Sequence, residues 1–279
     1  MSIDALNGKI GLFYLVFYAV LAALVAICFW GFLIGLDKRI PRWQLKESII
    51  GDSPGMGFRP SPPPDNVDST LIWFKAQTPH YDHWVNSLEE FLNVYRAPGR
   101  TPGRGQNTNT CDWEKGPDPG KVCTINVKVW NQCTYENKYG YYKSTPCVFI
   151  KLNKIYGWVP EFYNDTATLP DEMPENLRKY ITGITDPLKR NSIWVSCEGE
   201  NPADKENVGP IQLYPEYGFP GYYFPFKNLE GYLSPLVAVY FERPRAGVLI
   251  NVECKAWAKN INHHRNGTLG SVHFELLID

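Results

Sequence analysis

The chain has 279 residues, with 28 basic and 29 acidic side chains and a formal net charge of −1. This balance argues against a nucleic-acid binder held by a basic surface. A hydrophobic fraction of 44% argues against disorder over most of the length, and a mean hydropathy of −0.31 excludes a polytopic membrane protein. All 23 prolines follow residue 40, and residues 10–36 contain no charge, so the chain joins two physically different parts.

Residues 10–36 are predicted to form a transmembrane signal-anchor helix, preceded by a short cytoplasmic segment over residues 1–9. An apolar run of 27 residues covers about 40 Å as a helix, against about 30 Å of hydrocarbon in a bilayer. A cleaved signal peptide has a shorter apolar core and a basic start, whereas Lys9 is the only basic residue before this run. The lipid bilayer is therefore an expected partner.

The charges that flank the predicted span conflict with the chemistry of the large domain. Lys38, Arg39, Arg42 and Lys46 follow the span closely, and by the positive-inside rule they favour a cytoplasmic domain. Large domains can nevertheless be translocated despite flanking charge. The cysteines and glycosylation sequons of the domain favour the outside, and a single-pass type II orientation is predicted.

Six cysteines follow the span, an even number that fits three disulfides formed in an oxidising compartment. They are Cys111, Cys123, Cys133, Cys147, Cys197 and Cys254. Sequence alone allows about 15 pairings, although pairing in sequence order is plausible for the first four because each pair brackets a short segment. Two N-x-T sequons make Asn164 and Asn266 predicted N-glycosylation sites.

The predicted span carries two patterns that favour contact with another helix. Tyr14 and Tyr18 are four residues apart and share one helix face. Gly31 and Gly35 form a small-xxx-small pattern, which permits close approach of a second helix. A helix–helix contact within the bilayer is therefore expected.

Beyond the span, residues 37–70 are proline-rich and are predicted to form an extended extracellular stalk. Residues 71–279 are predicted to form the disulfide-bonded ectodomain. Its one clear amphipathic helix is predicted to be capped by Thr78, to have Pro79 at its first position, and to stop at residues 97–99.

The remaining signal is mostly strand, separated by loops rich in Pro, Gly and Asn. Alternation predicts a strand over residues 122–129, and a short helix is expected over residues 174–180. Further strands are predicted over 147–152, 193–197, 236–241, 248–254 and 271–278. The predicted fold is mainly β, an antiparallel β-sandwich with a helical insertion.

No motif for catalysis is recognisable in the sequence. There is no phosphate-binding loop, no G-x-S-x-G elbow and no HExxH zinc motif. A glycosidase carboxylate pair depends on the fold and stays open as an alternative. The chain is predicted to be non-catalytic, with no metal ligand of its own.

Long blocks of the chain resemble the β subunit family of the sodium/potassium-transporting ATPase. The blocks are FYLVFY in the span, SPGMGFRP at residues 53–60, YGYYKSTPCVFIKLNKIYGWVP at 139–160, YYFPFKNLEGYLSPLVAVYF at 222–241, NVEC at 251–254 and GSVHFELLID at 270–279. The resemblance covers nearly the whole chain after residue 9. It implies a type II plasma-membrane glycoprotein with an immunoglobulin-like sandwich outside.

The resemblance also implies specific pairings and contacts. The six cysteines would pair in sequence order, as Cys111–Cys123, Cys133–Cys147 and Cys197–Cys254. Tyr14, Phe17 and Tyr18 would face the catalytic α subunit in the membrane. That subunit would bind Na+, K+, Mg2+ and ATP, and this chain would bind no cofactor.

In the family, the β subunit helps α to fold, to leave the endoplasmic reticulum and to handle potassium. A small single-span regulatory subunit is a further partner that the resemblance admits. Two alternatives remain open at this point: a pump-independent cell-adhesion or junction glycoprotein, and the β subunit of a proton/potassium pump.

Overall fold

The computed structural model describes residues 3–66, 68–96, 106–263 and 269–279. The chain divides into two compact units, residues 1–44 and residues 45–279. The second unit is called the β domain below. Residues 45–70, the larger part of the predicted stalk over residues 37–70, belong to this unit.

The first unit contains one long helix, α1, which spans Ile3–Ile34. Its segment Gly8–Ile34 has a mean hydropathy of 2.7 and is long and apolar enough to cross a membrane. The helix therefore starts before the predicted span and ends two residues earlier than residue 36. Beyond it, the Asp37 carboxylate accepts hydrogen bonds from the backbone N–H groups of Arg39 (2.7 Å) and Ile40 (3.0 Å), which turn the chain.

Among the described residues the β domain contains eleven strands and three α-helices. In chain order they are β1 (Met56–Arg59), β2 (Leu71–Phe74), α2 (Asp82–Arg96), β3 (Thr108–Asn109), β4 (Val122–Cys123), β5 (Cys147–Leu152), α3 (Glu175–Gly183), β6 (Ser192–Gly199), α4 (Pro202–Asn207), β7 (Ile211–Tyr214), β8 (Gly218–Pro220), β9 (Val237–Phe241), β10 (Leu249–Trp257) and β11 (Ser271–Ile278).

Two sheets form the β domain. One has the strand order β1-β5-β9-β7, and the other has the order β2-β11-β10-β6-β8. All their pairings are antiparallel except that of β2 with β11. The sheets pack face to face, because Phe58 and Phe241 of the first sheet contact Phe274 of the second, with ring centroids 5.2 and 6.2 Å apart. The predicted mainly β sandwich is confirmed.

Helix α2 is the predicted helical insertion, and it shields an edge of the second sheet. The carbonyls of Thr70 and Phe74 accept from the N–H groups of Glu275 in β11 and of Asp279 directly after it. The Trp73 carbonyl therefore faces the free edge of β2. The Trp84 indole N–H on α2 donates to that carbonyl at 2.8 Å. An edge strand that is covered in this way cannot recruit a foreign strand.

The predicted start of α2 is wrong. The helix begins at Asp82, and residues 79–81 form a turn in which Pro79 accepts from the Asp82 N–H at 3.1 Å. Thr78 therefore lies outside the helix and does not cap it. The residues predicted to stop the helix, 97–99, lie outside the described residues.

The predicted strand over residues 122–129 is wrong beyond Cys123. Val122–Cys123 pairs in parallel with Thr108–Asn109, and Val127–Trp130 forms a 3₁₀ turn. The Asn126 side chain accepts from the Lys128 N–H at 3.0 Å and caps this turn. Such a local side-chain bond competes with a sheet ladder, which the alternation of apolar residues does not reveal.

Candidate partner interface

The N-terminal half of α1 carries a patch of ordered aromatic rings, called the aromatic face below: Phe13, Tyr14, Phe17 and Tyr18. The Tyr14 and Tyr18 rings stack with centroids 6.2 Å apart, and Phe13 and Phe17 stack at the same distance. Phe17 contacts Tyr18 edge-on at 5.4 Å. All four side chains are exposed. Phe13 was missed by sequence reasoning, although its i,i+4 spacing to Phe17 could have shown it.

Only the first glycine of the predicted small-xxx-small pattern lies within α1. Gly31 lies within α1, and no heavy atom lies within 4 Å of the point where its Cβ would be. Gly35 follows the last helical residue and donates its N–H to the Phe32 carbonyl at 3.2 Å. Gly31 is 17 residues after Tyr14, which places it about 100° from Tyr14 around the helix. Gly31 is also 18 residues after Phe13, which is about five full turns, so it lies on the same side of α1 as Phe13. The glycine therefore continues the Phe13 edge of the aromatic face into the C-terminal half of the helix.

Three disulfides cross-link the β domain, between Cys111 and Cys123, Cys133 and Cys147, and Cys197 and Cys254. These are the pairs that the resemblance implied. Closing loops of 12 and 14 residues is worth about 3 kcal/mol each in the chain-entropy model, and a loop of 57 residues about 4 kcal/mol. The fold thus depends on an environment in which the cysteines can oxidise.

Each disulfide has a definite place in the fold. Cys197 on β6 lies directly opposite Cys254 on β10, with Cα atoms 4.1 Å apart, so the bond reinforces a central strand pair. The bond between Cys133 and Cys147 is buried and ties the preceding loop to the start of β5. The remaining bond, at Cys123, anchors the small sheet of β3 and β4.

Of the two predicted glycosylation sites, one can be located. Asn164 is exposed, and its side-chain amide donates to the Asn191 side chain at 3.4 Å. Thr166, the hydroxyl residue of the sequon, begins a 3₁₀ turn that is capped by Asp165. Asn266 lies outside the described residues. Asn164 therefore has the exposure that a glycan acceptor needs.

A half-buried polar network that sequence reasoning missed joins the end of α2 to residues 138–143. The Arg96 guanidinium donates to Glu89 and to the Tyr139 hydroxyl at 2.5 Å, and that hydroxyl donates to Glu89 at 2.7 Å. Burial, followed by the hydrogen bond to the Glu89 carboxylate, raises the pKa of Tyr139. The phenol therefore stays neutral and donates a structural hydrogen bond. Sequence spacing could not reveal this network, because Tyr139 lies 43 positions after Arg96 and 50 positions after Glu89.

Comparison with known proteins now identifies the family. The family model "Sodium / potassium ATPase beta chain" matches residues 6–274. The chain belongs to this family. It is 60% identical to the sodium/potassium-transporting ATPase subunit beta-2 of Drosophila melanogaster over 98% of this chain and 85% of that one. It is 41% identical to subunit beta-1 of the same fly, over 96% and 84% of the two chains.

The family extends to vertebrates at lower identity. The human sodium/potassium-transporting ATPase subunit beta-2 is 28% identical over 96% of this chain and 85% of its own length. The match covers α1 as well as the β domain. Both units of this chain therefore belong to the β chain family, and neither is an added module.

The cleft beside β6 does not bring two carboxylates together among the described residues. A cleft of about 400 Å³ opens beside β6, and Glu198 is the one carboxylate among its lining residues. That carboxylate pairs with Lys205 at 3.1 Å. A glycosidase needs two carboxylates across one cleft. Among the described residues no group of three or more His, Cys, Asp or Glu side chains could hold a metal ion.

Proposed function

We propose that this chain is the non-catalytic β subunit that assembles with the catalytic α subunit of a sodium/potassium-transporting ATPase. The observation that carries the proposal is the identity of 60% to a fly β-2 subunit across nearly the full chain. The relatives described above are all named as sodium/potassium subunits, which favours this pump over a proton/potassium pump. The chain itself would bind no Na+, K+, Mg2+ or ATP.

The proposed orientation places the β domain outside the cell and α1 in the plasma membrane. The three disulfides and the exposed Asn164 support an extracellular β domain. Glycosylation tests the orientation directly. Removal of N-glycans should increase the gel mobility of the wild type but not of a variant with Asn164→Gln and Asn266→Gln, and an unshifted wild type would contradict the proposal.

The proposed contact with α inside the membrane is the aromatic face. Its rings are exposed to the surroundings of α1 and already ordered by one another, so a partner helix meets a preformed surface. The tyrosine hydroxyls can hydrogen-bond across helices, which is favourable in lipid. Gly31 leaves open space beside the C-terminal half of α1, and a small single-span regulatory subunit is a further proposed partner.

The decisive experiment is co-expression of α with and without this chain in cells depleted of their own β subunits. We expect α to reach the plasma membrane, and potassium-dependent ATP hydrolysis to appear, only when this chain is present. Recovery of α in mild detergent should be stoichiometric. Intracellular retention of α despite folded, glycosylated β would overturn the proposal in favour of a pump-independent role such as cell adhesion.

A further inference from the structure

Two neighbouring strands of the first sheet carry cations on the same face. Arg59 ends β1, and Lys151 on β5 lies opposite Gly57 in the strand register. Side chains alternate along a strand, and Phe58 packs inward on Phe274, so Arg59 and Lys151 project from the outer face. The Lys151 Cε lies 3.7 Å from the point where a Gly57 side chain would begin. Glycine thus lets the lysine lie across β1 toward Arg59.

The two cations meet at one aromatic ring. The Arg59 guanidinium carbon lies 5.4 Å from the centroid of the Phe91 ring on α2, and the Lys151 Nζ lies 5.9 Å from the same centroid. Arg59 also donates to the Phe58 carbonyl at 2.9 Å. These contacts hold both cations in place, so less conformational entropy is lost when they bind an anion.

A third cation, Lys154, follows β5 closely. Its Nζ lies 5.3 Å from the ring centroid of Phe226 and 5.2 Å from that of Tyr232. Arg59, Lys151 and Lys154 are called the cationic cluster below. Seven other lysines of the β domain pair with a carboxylate, whereas among the described residues no carboxylate forms an ion pair with the cationic cluster.

The members of the cluster repel one another in the isolated chain. Burial, followed by the charges of Arg59 and Lys154, lowers the pKa of Lys151. Burial also lowers the pKa of Lys154. An anion placed against the cluster would offset the repulsion and favour the protonated lysines. The cluster is therefore complementary to a negatively charged group, which the described part of the chain does not supply as an ion-pair partner.

We propose that the cationic cluster is a docking surface for carboxylate side chains on the extracellular segments of the catalytic subunit. This proposal rests on the proposed function and names the chemistry of the contact. A rigid pair of strands presents one guanidinium, two ammonium groups and apolar rings together. Such a surface suits a protein partner that offers Asp or Glu beside apolar groups, since charge complementarity across an interface selects the partner and its register.

Cross-linking of the intact complex tests the contact directly. A carbodiimide activates carboxyl groups and joins them to a lysine amine as an amide, with no spacer. We expect cross-linked peptides that join Lys151 or Lys154 to an Asp or Glu of the catalytic subunit. Cross-links between the two subunits that avoid both lysines would overturn the proposal.

A charge-reversal pair supplies a second test with a matched control. The variant Lys151→Glu/Lys154→Glu should recover about tenfold less catalytic subunit than the wild type in mild detergent. The control Lys128→Glu/Lys259→Glu changes the same charge at two exposed lysines and should recover the wild-type amount. If charge reversal prevents folding, Lys151→Gln/Lys154→Gln replaces it, with an expected loss of about threefold.

The two proposals fail in different ways. Equal recovery by the cluster variant and the control, with wild-type recovery intact, overturns the cationic-cluster proposal alone. Recovery of no catalytic subunit by the folded wild type overturns the proposed function itself. Added salt should lower the recovery of the catalytic subunit by the wild type, as the cluster variant does without salt. This result would support the ionic contact, because salt screens exposed charge pairs.

Discussion

The membrane helix exposes its apolar side chains, whereas the β domain buries its own. Leu12 and Trp30 on α1 are 64% and 67% exposed, whereas Phe274 in the sandwich is 0% exposed. A helix satisfies its backbone internally, so α1 needs no partner to form, but its side chains need lipid or another helix. The β domain instead buries its apolar core within its own fold.

The two regions also differ in how far apart along the chain their contacts lie. In α1 every backbone hydrogen bond joins residues one turn apart. In the β domain, β5 pairs with β1, which precedes it by about 90 residues, and with β9, which follows it by a similar distance. Local damage should therefore leave α1 formed but unfold the β domain, and the predictions below test this difference in order of expected effect.

The largest effect is expected from a cavity between the two sheets. Phe274→Ala should lower the free energy of unfolding by about 3–5 kcal/mol, because the ring is fully buried and the packed core cannot collapse around the gap. Leu24→Ala on α1 is the control, since Leu24 is exposed. Denaturant unfolding of the full chain in detergent measures the stability of each variant. Similar losses of unfolding free energy in Phe274→Ala and Leu24→Ala would contradict the expected difference between the two regions.

A comparable loss is expected when the central cross-link is removed. Cys197→Ser/Cys254→Ser opens a loop of 57 residues and should cost about 4 kcal/mol. In cells, the variant should hold the catalytic subunit in the endoplasmic reticulum. Cys28→Ser on α1 is the control, since Cys28 forms no disulfide. Normal surface delivery of the catalytic subunit by the double variant would count strongly against a structural role for this bond.

Changes to the aromatic face should affect assembly and not folding. Tyr14→Ala/Tyr18→Ala should weaken association with the catalytic subunit by roughly 2 kcal/mol, the size of an interface hot spot. Leu12→Ala is the matched control, because Leu12 is exposed and lies about 100° or more around the helix from every ring of the aromatic face. Co-purified catalytic subunit and potassium affinity are the readouts. Wild-type values for both in the tyrosine variant would remove this face as the contact.

The smallest effect concerns pH. Partial burial lowers the pKa of His263, whose ring lies 4.9 Å from that of Trp257 and whose Nε2 is 2.8 Å from the Ala256 carbonyl. The unfolded chain then binds the proton more readily than the native chain, so stability falls as pH drops through about 6.5, the usual histidine range. His263→Gln should reduce the slope of the free energy of unfolding against pH between about pH 7.5 and 5.5. An unchanged slope would contradict this assignment.

Sequence reasoning succeeded where the signal is local and long. The predicted strands over residues 147–152 and 271–278 are β5 and β11 with the same limits, and α2 shows the predicted apolar stripe. Strands β1, β2 and β7 were missed because each has four residues, too few for alternation to stand out. The strand predicted through Asn126 failed because the side chain of that residue caps a turn.

The candidate interfaces divide in the same way. The aromatic face follows from the i,i+4 spacing of Tyr14 and Tyr18, because a helix fixes which residues share a side. The cationic cluster has no such signal, since Arg59 and Lys151 are 92 positions apart in the sequence. Only the pairing of β1 with β5 brings them to one ring on α2.

By itself, the sequence determined the membrane helix, the amphipathic stripe of α2, the strand-rich character of the domain and the six cysteines available for pairing. Each of these depends on composition or on neighbours within a few turns of chain. The tertiary structure decided which cysteines meet, that residues 45–70 fold with the β domain, and that three cations converge without an ion pair to any carboxylate in the described ranges. These features depend on contacts between distant segments, which long-range strand pairing and core packing create and local sequence patterns do not encode.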